Sequence, residues 1–114
     1  MAEGNIPYMF QVENVTNKVT FDVTVDTNYT FFYKIGSMVF YQIYFKESIT
    51  ANTVLATITD ATIRPSRQFW NTITNKLNDA GSMIRMVIQN NGQFLTSANI
   101  SETTSYATGY YILG

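Results

Sequence analysis

The chain has 114 residues, of which 46% are hydrophobic and 15% aromatic, a length and composition that suit one domain with its own core. Its formal net charge is −1, and its seven basic residues are scattered, so it lacks the basic surface typical of proteins that bind nucleic acid or anionic membranes. It contains no cysteine and no histidine, which excludes disulfides, thiolate metal sites, thiol nucleophiles and imidazole chemistry.

The N-terminal part of the chain gives no sign of export or membrane insertion. No apolar run approaches the roughly 20 residues that a membrane-spanning helix needs. The N-terminus also lacks the basic and apolar pattern of a signal peptide. We therefore expect a soluble protein. Residues 1–7 have turn chemistry without periodicity and are predicted to be a lead-in segment, and residues 8–114 a single domain.

Strand-forming residues dominate the composition, because Thr, Val, Ile, Tyr and Phe are abundant and there are only two prolines. In chain order the predicted strands are residues 8–15, 18–25, 29–33, 38–45, 52–60, 67–75, 82–89, 93–100 and 106–113. About eight or nine short strands at a spacing of about 8 to 12 residues are typical of a sandwich. The sequence therefore predicts an all-β protein, an antiparallel two-sheet β-sandwich of jelly-roll type.

Turn residues separate these strands. Residues 34–37 and 78–81 are predicted turns, and Pro65, which cannot donate a hydrogen bond, predicts a loop between the strands 52–60 and 67–75. The run Asn90-Asn91-Gly92 predicts a tight hairpin, with these residues supplying the positive φ angles that such turns need.

The segment 38–45 is apolar on both faces. Alternation places Val39, Tyr41, Ile43 and Phe45 on one face and Met38, Phe40, Gln42 and Tyr44 on the other. A strand on the outside of a monomeric sandwich shows one polar face. Residues 38–45 are therefore predicted either to lie at the centre of a two-layer core or to face another subunit.

Four other segments alternate between two faces. In 18–25 and 82–89 the inward residues are Val19, Phe21, Val23 and Val25, and Ile84, Met86 and Ile88. In 52–60, Val54, Ala56 and Ile58 oppose Leu55, Thr57 and Thr59. In 67–75, Phe69 and Ile73 are expected to face the core, so Trp70 is expected to point away from it.

Catalysis and metal binding have little support in the sequence. The carboxylates fall mostly in turns or on outward strand positions. Any two of them could be proposed as the catalytic pair of a glycosidase, so such a pair is not a specific signal. Asp26 and Asn28, and Asn78 and Asp79, are residues that turns use in any case. We expect no enzyme activity, no catalytic residue, no metal site and no cofactor.

Trp70 is the candidate for ligand binding. An outward indole near Arg64, Arg67 and Asn71 suits the stacking and hydrogen bonding by which saccharides are held, and Tyr106 is a further candidate. The alternative is that Trp70 packs against another subunit or covers a sheet edge. A second apolar layer is predicted as a subunit interface for the same reason, formed by Phe40, Tyr44, Met83, Val87 and Tyr110.

Four sequence features occur together over residues 29–114: the run YKIGSMVFYQIYF, the Arg64-Pro65 segment, the hairpin IRMVIQNNGQFL and the closing strand YATGYYILG. In their order and spacing they resemble the C-terminal head domain of tailed-phage receptor-binding and baseplate (tail fibre) proteins. The chain departs from that pattern at Ala61-Thr62-Ile63, where the family has a Gly and an aromatic residue.

This resemblance implies a trimeric β-sandwich head at the virion tail tip or baseplate, exposed to the extracellular medium. It would be joined to an upstream fibre or baseplate protein, and it would attach to a saccharide of the bacterial cell surface. The low charge of the chain suits a neutral glycan, and a homotrimer would raise adhesion by avidity. Two alternatives remain: a non-adhesive virion or baseplate decoration protein of the same fold, and a monomeric carbohydrate-binding module.

Overall fold

A computed structural model describes residues 11–75, 82–100 and 105–113 of the chain. These residues form nine strands, two short 3-10 turns and no α-helix. The strands are β1 Val12–Asn14, β2 Val19–Phe21, β3 Phe31–Ile35, β4 Met38–Tyr44, β5 Val54–Ile58, β6 Phe69–Asn75, β7 Ser82–Ile88, β8 Gln93–Thr96 and β9 Tyr106–Ile112. The 3-10 turns are Thr16–Lys18 and Ala61–Ile63. The prediction of an all-β protein is confirmed.

All nine strands belong to one antiparallel sheet, in the order β1-β3-β4-β9-β6-β7-β8-β5-β2. The sheet curls around a single core, because rings from strands far apart in this order touch each other. Phe94 on β8 lies with its ring centroid 5.7 Å from that of Phe32 on β3 and 5.3 Å from that of Tyr41 on β4. Phe21 on β2 and Phe32 are 6.0 Å apart.

The alternation predicted for two of the long strands is confirmed. On β4, Val39, Tyr41 and Ile43 are buried, as is Phe45 just beyond its end, whereas Phe40 is 38% exposed. On β7, the three predicted inward residues are buried, and the outward residues are Met83, Arg85 and Val87. Trp70 on β6 points outward, also as predicted, and it is 55% exposed.

The prediction of one long strand over 18–25 is wrong. Lys18 belongs to a 3-10 turn, β2 ends at Phe21, and Val25 makes only an isolated bridge to Phe45. The Asp22 amide donates to the Leu55 carbonyl. Beyond Asp22 the backbone separates from β5 and crosses to the end of β4. The inward orientation predicted for Phe21, Val23 and Val25 is nevertheless confirmed, because these side chains pack against the core.

The alternation predicted for 52–60 fails at a β-bulge. The pairing of β5 with β8 shifts register between Val54 and Ala56, so Leu55 and Ala56 are both fully buried although they are neighbours. The strand also begins later than predicted, because Asn52 has a φ of 64° and lies in a turn.

The turns differ from the predictions in detail. β3 continues through Ile35, so the turn that follows it consists of Gly36 and Ser37 alone. At the hairpin between β7 and β8, Gly92 has a φ of 94°, whereas Asn90 and Asn91 do not have positive φ. The turn over residues 89–92 is closed by the Gly92 amide, which donates to the Gln89 carbonyl at 2.9 Å. The predicted lead-in 1–7 and the predicted turn 78–81 lie outside the described residues.

Candidate functional site

Trp70 borders an open depression of about 440 Å³ on the outer side of the β6–β7 hairpin. The depression is lined by Trp70, Asn71, Thr72, Met83, Ile84 and Arg85. Strand register explains the grouping, because Trp70 pairs with Val87, Thr72 with Arg85, and Thr74 with Met83. Directly opposed residues of an antiparallel pair project from the same face. The exposed indole therefore lies beside a hydroxyl, a thioether and a guanidinium.

Arg85 lies over the ring of Trp70. Its guanidinium carbon is 5.3 Å from the ring centroid, a cation–π contact that contributes about 0.5–1 kcal/mol at exposed sites. The backbone of β7 is held at this position by Ser97, whose amide and hydroxyl both donate to the Arg85 carbonyl, at 3.0 and 2.7 Å. Arg85 was not among the residues predicted to bind a ligand.

The amide of Asn71 is engaged inside the protein, although the residue borders the depression. Its Nδ2 donates to the hydroxyl of Tyr41 at 2.8 Å and to the carbonyl of Tyr110 at 3.1 Å. Gly109 makes room for this arrangement, since a Cβ there would lie 2.9 Å from the Tyr41 hydroxyl oxygen. Burial raises the pKa of Tyr41, and the bond from Asn71 offsets part of that rise. Asn71 therefore connects β6, β4 and β9 where β6 and β9 diverge.

Arg64 is also held by its own chain. Its Nε donates to the Ile58 carbonyl at 3.0 Å, next to Gly92, at the end of β5. Arg67 is exposed, and neither arginine lines the depression. Tyr106 lies outward on β9, where its ring stacks on that of Tyr44 with centroids 6.2 Å apart. Of the five residues predicted to bind saccharide, only Trp70 and Asn71 therefore border the depression.

Sequence reasoning missed Thr72, Met83 and Arg85 as neighbours of Trp70. Alternation puts all three on the outward side of their strands, but it does not give the register. The predicted turn 78–81 would place Val87 opposite Thr72, where the structure has Arg85. Proximity in the sequence instead directed attention to Arg64 and Arg67.

The five residues predicted as a subunit interface all project from the outer side of the sheet. Phe40 and Tyr110 are directly paired, and their ring centroids are 6.0 Å apart. Met83 is 66% exposed and Tyr110 47%. Tyr44 is half-buried against the rings of Tyr29 and Tyr106. Val87 is half-buried beside Trp70.

Three of them, Phe40, Tyr44 and Tyr110, are part of a wider surface, which we call the outer aromatic face. It comprises the outward residues of β3, β4 and β9, none of which is charged: Phe31, Tyr33, Ile35, Met38, Phe40, Gln42, Tyr44, Tyr106, Thr108, Tyr110 and Ile112. Rows of rings cross it, since Tyr33, Phe40 and Tyr110 occupy one line across three neighbouring strands. An uncharged sheet face rich in aromatic residues has the composition of a protein interface core.

Within the described residues, no three side chains of the kinds that bind metal ions come together, and no buried side-chain nitrogen or oxygen lacks a hydrogen-bond partner. No helix in the described ranges is long and apolar enough to cross a membrane.

No protein-family model matches the chain, and no curated protein matches it. The resemblance to phage head domains therefore remains a prediction from the four motifs, and the interpretation of the site depends on its geometry.

Proposed function

We propose that this domain is a receptor-binding head of a tailed-phage fibre or baseplate, which attaches to a saccharide on the bacterial host surface through Trp70. The observation that carries the proposal is the half-exposed indole of Trp70 in an open depression, next to the hydroxyl of Thr72 and the guanidinium of Arg85. A flat aromatic surface stacks on the apolar face of a sugar ring, and the polar neighbours bond its hydroxyls.

The proposal includes a homotrimer, with the curled sheet forming a jelly-roll type sandwich in each subunit. The absence of charge on the outer aromatic face supports it, because identical copies can bury such a face against one another without desolvating ions. Three copies of a weak site would then bind a repeating surface glycan together, with avidity well above the affinity of one site. An upstream fibre or baseplate protein would carry the trimer at the tip of the virion.

A non-adhesive decoration protein of the same particle is the second candidate. The outer aromatic face favours it as much as it favours the adhesion head, because assembly alone accounts for that face. Only the depression at Trp70 separates the two. A monomeric carbohydrate-binding module would retain the depression but would leave the outer aromatic face in water, where apolar patches of this kind are uncommon.

Glycan-array binding with the Trp70→Ala variant tests the proposal. We expect the wild-type protein to bind a subset of bacterial surface glycans and Trp70→Ala to bind none of them, with its native mass unchanged. Thr20→Ala, on the exposed side of β2, is the control and should bind as the wild type does. Loss of assembly in Trp70→Ala would identify Trp70 as an interface residue. A wild-type protein that binds no glycan would favour the decoration protein.

A further inference from the structure

Within the described ranges, Arg85 forms no ion pair with a carboxylate of its own chain. The ion pairs found there join Lys18 to Glu13 at 3.8 Å and to Asp60 at 3.3 Å, and both lie at the edge of the sheet. Arg64 donates to a backbone carbonyl. Arg85 instead meets the face of an indole ring in an open depression.

The contact with Trp70 leaves the hydrogen-bonding capacity of the guanidinium available. A guanidinium above an aromatic ring is attracted through the ring quadrupole, which uses none of its N–H donors. Its five N–H groups form a planar fork that matches the two oxygens of a carboxylate. Such charge-assisted pairs are roughly twice as strong as neutral hydrogen bonds.

Packing on Trp70 limits the motion of this cation, because the indole ring lies against its guanidinium. The strand that carries it is fixed by the two hydrogen bonds that Ser97 donates to the Arg85 carbonyl. Less side-chain entropy is lost when a positioned arginine binds than when a free one does. The hydroxyl of Thr72, directly across the strand pair, offers a further polar contact.

We infer that the ligand of this depression is an acidic sugar, whose ring stacks on Trp70 while its carboxylate is held by Arg85. This inference rests on the proposed saccharide-binding function and specifies its ligand class. It differs from the expectation of a neutral glycan, which was based on the low overall charge of the chain. Total charge does not determine the charge at one site, and a single arginine beside the indole is sufficient for this preference.

Fluorescence titration provides a site-specific test, because Trp70 is the only tryptophan of the chain. The probes are tetragalacturonate and its fully methyl-esterified form, which has the same sugar rings without the charge. We expect the wild-type protein to bind the acid form about tenfold or more tightly than the ester, as a charge-assisted hydrogen bond predicts. Arg85→Gln should lose this preference, and Lys46→Gln, which removes an exposed charge elsewhere, should keep it.

A glycan array with neutral, carboxylated and sulfated sugars covers other sugar identities. Selective binding of carboxylated glycans, lost in Arg85→Gln, supports the inference. Equal binding of neutral glycans overturns it but leaves the proposed adhesion function intact. Preference for sulfated over carboxylated glycans, or binding of acidic peptides in place of sugars, also overturns it. Absence of binding to every glycan by the wild-type protein contradicts the inference and the proposed function together.

Discussion

Asn71 and Trp70 are adjacent in the sequence, but their side chains leave β6 on opposite sides. Alternation alone predicts this, since Asn71 shares its side of the strand with Phe69 and Ile73. The hydrogen bonds of Asn71 could not be predicted from the sequence. They require β9 to lie next to β6 and β4 to lie beyond β9, and the bonded residues are 30 and 39 positions away from Asn71 along the chain. A polar residue on an inward position indicates a buried hydrogen bond, but the sequence does not name the partner.

Asn71 is therefore expected to stabilise the fold. Asn71→Ala removes the donor to the buried Tyr41 hydroxyl, and a buried polar group left unsatisfied costs about 1–3 kcal/mol in the free energy of unfolding. Urea denaturation measures this loss. In a Tyr41→Phe background, which lacks the hydroxyl, the cost of Asn71→Ala should be smaller than in the wild-type background by at least about 0.5 kcal/mol. Equal costs in the two backgrounds would show that the pair is not coupled.

At the level of the element, local alternation predicts the inward residues of β4 and β7 correctly, and it fails at the bulge in β5 and where the chain changes partner strands. The segment 54–60 contains no Gly or Pro to mark a bulge, so nothing in the sequence signals that Leu55 and Ala56 are both buried. Residues 22–25 alternate like a strand, but their backbone leaves β5 to reach the end of β4. Alternation therefore predicts which side chains face the core only where the strand has no bulge, and it does not predict which strand the backbone pairs with.

The 3-10 turn Ala61–Ile63 depends on the Asp60 carboxylate. The hydroxyl and the amide of Thr62 both donate to Asp60, at 2.6 and 2.9 Å, and these bonds hold the pKa of Asp60 below its usual value. A carboxyl with a depressed pKa in the folded state stabilises the fold above its unfolded pKa, and this contribution is lost as the pH falls through the folded pKa. The contribution is thus complete at neutral pH and is lost below about pH 4.

Asp60→Ala should lower the thermal midpoint at pH 7, and the difference from the wild-type midpoint should shrink as the pH approaches about 3. Calorimetry across this range measures it. Glu13→Ala removes the longer ion pair of Lys18 and leaves the turn intact, so a smaller effect is expected. A difference between Asp60→Ala and the wild type that stays constant with pH would contradict the role of the charge.

For the whole molecule, the sequence was sufficient to predict the β content, the inward faces of β4 and β7 and the outward position of Trp70. The strand order was not predictable. β4 pairs with β9, which is distant in the chain, and the local composition of a strand does not indicate a distant partner. The outer aromatic face illustrates this limit. The sequence of each strand by itself shows outward aromatic residues, but only the pairing of the strands shows that these rings form continuous rows.

The proposed homotrimer, with the outer aromatic face as its interface, predicts the native mass. Light scattering at two protein concentrations should give three times the chain mass of 12.9 kDa. Phe40→Glu places a charge among the rings of this face, and we expect it to yield a folded monomer, because an ion buried without a partner is strongly unfavourable. Thr20→Glu, with its charge on an exposed residue of β2, should leave the trimer intact. A wild-type monomer at both concentrations would exclude this assembly.

The position of β9 has a consequence for how the chain is made. The last of the nine strands lies fourth in the sheet, between β4 and β6. Until it emerges from the ribosome, β1, β3 and β4 can form one small sheet and the other five strands a second, with the facing edges of β4 and β6 unpaired. Open edges of this kind promote aggregation. Nascent chains that stop before residue 106 should therefore depend on chaperones, and completion of the final strand should release them.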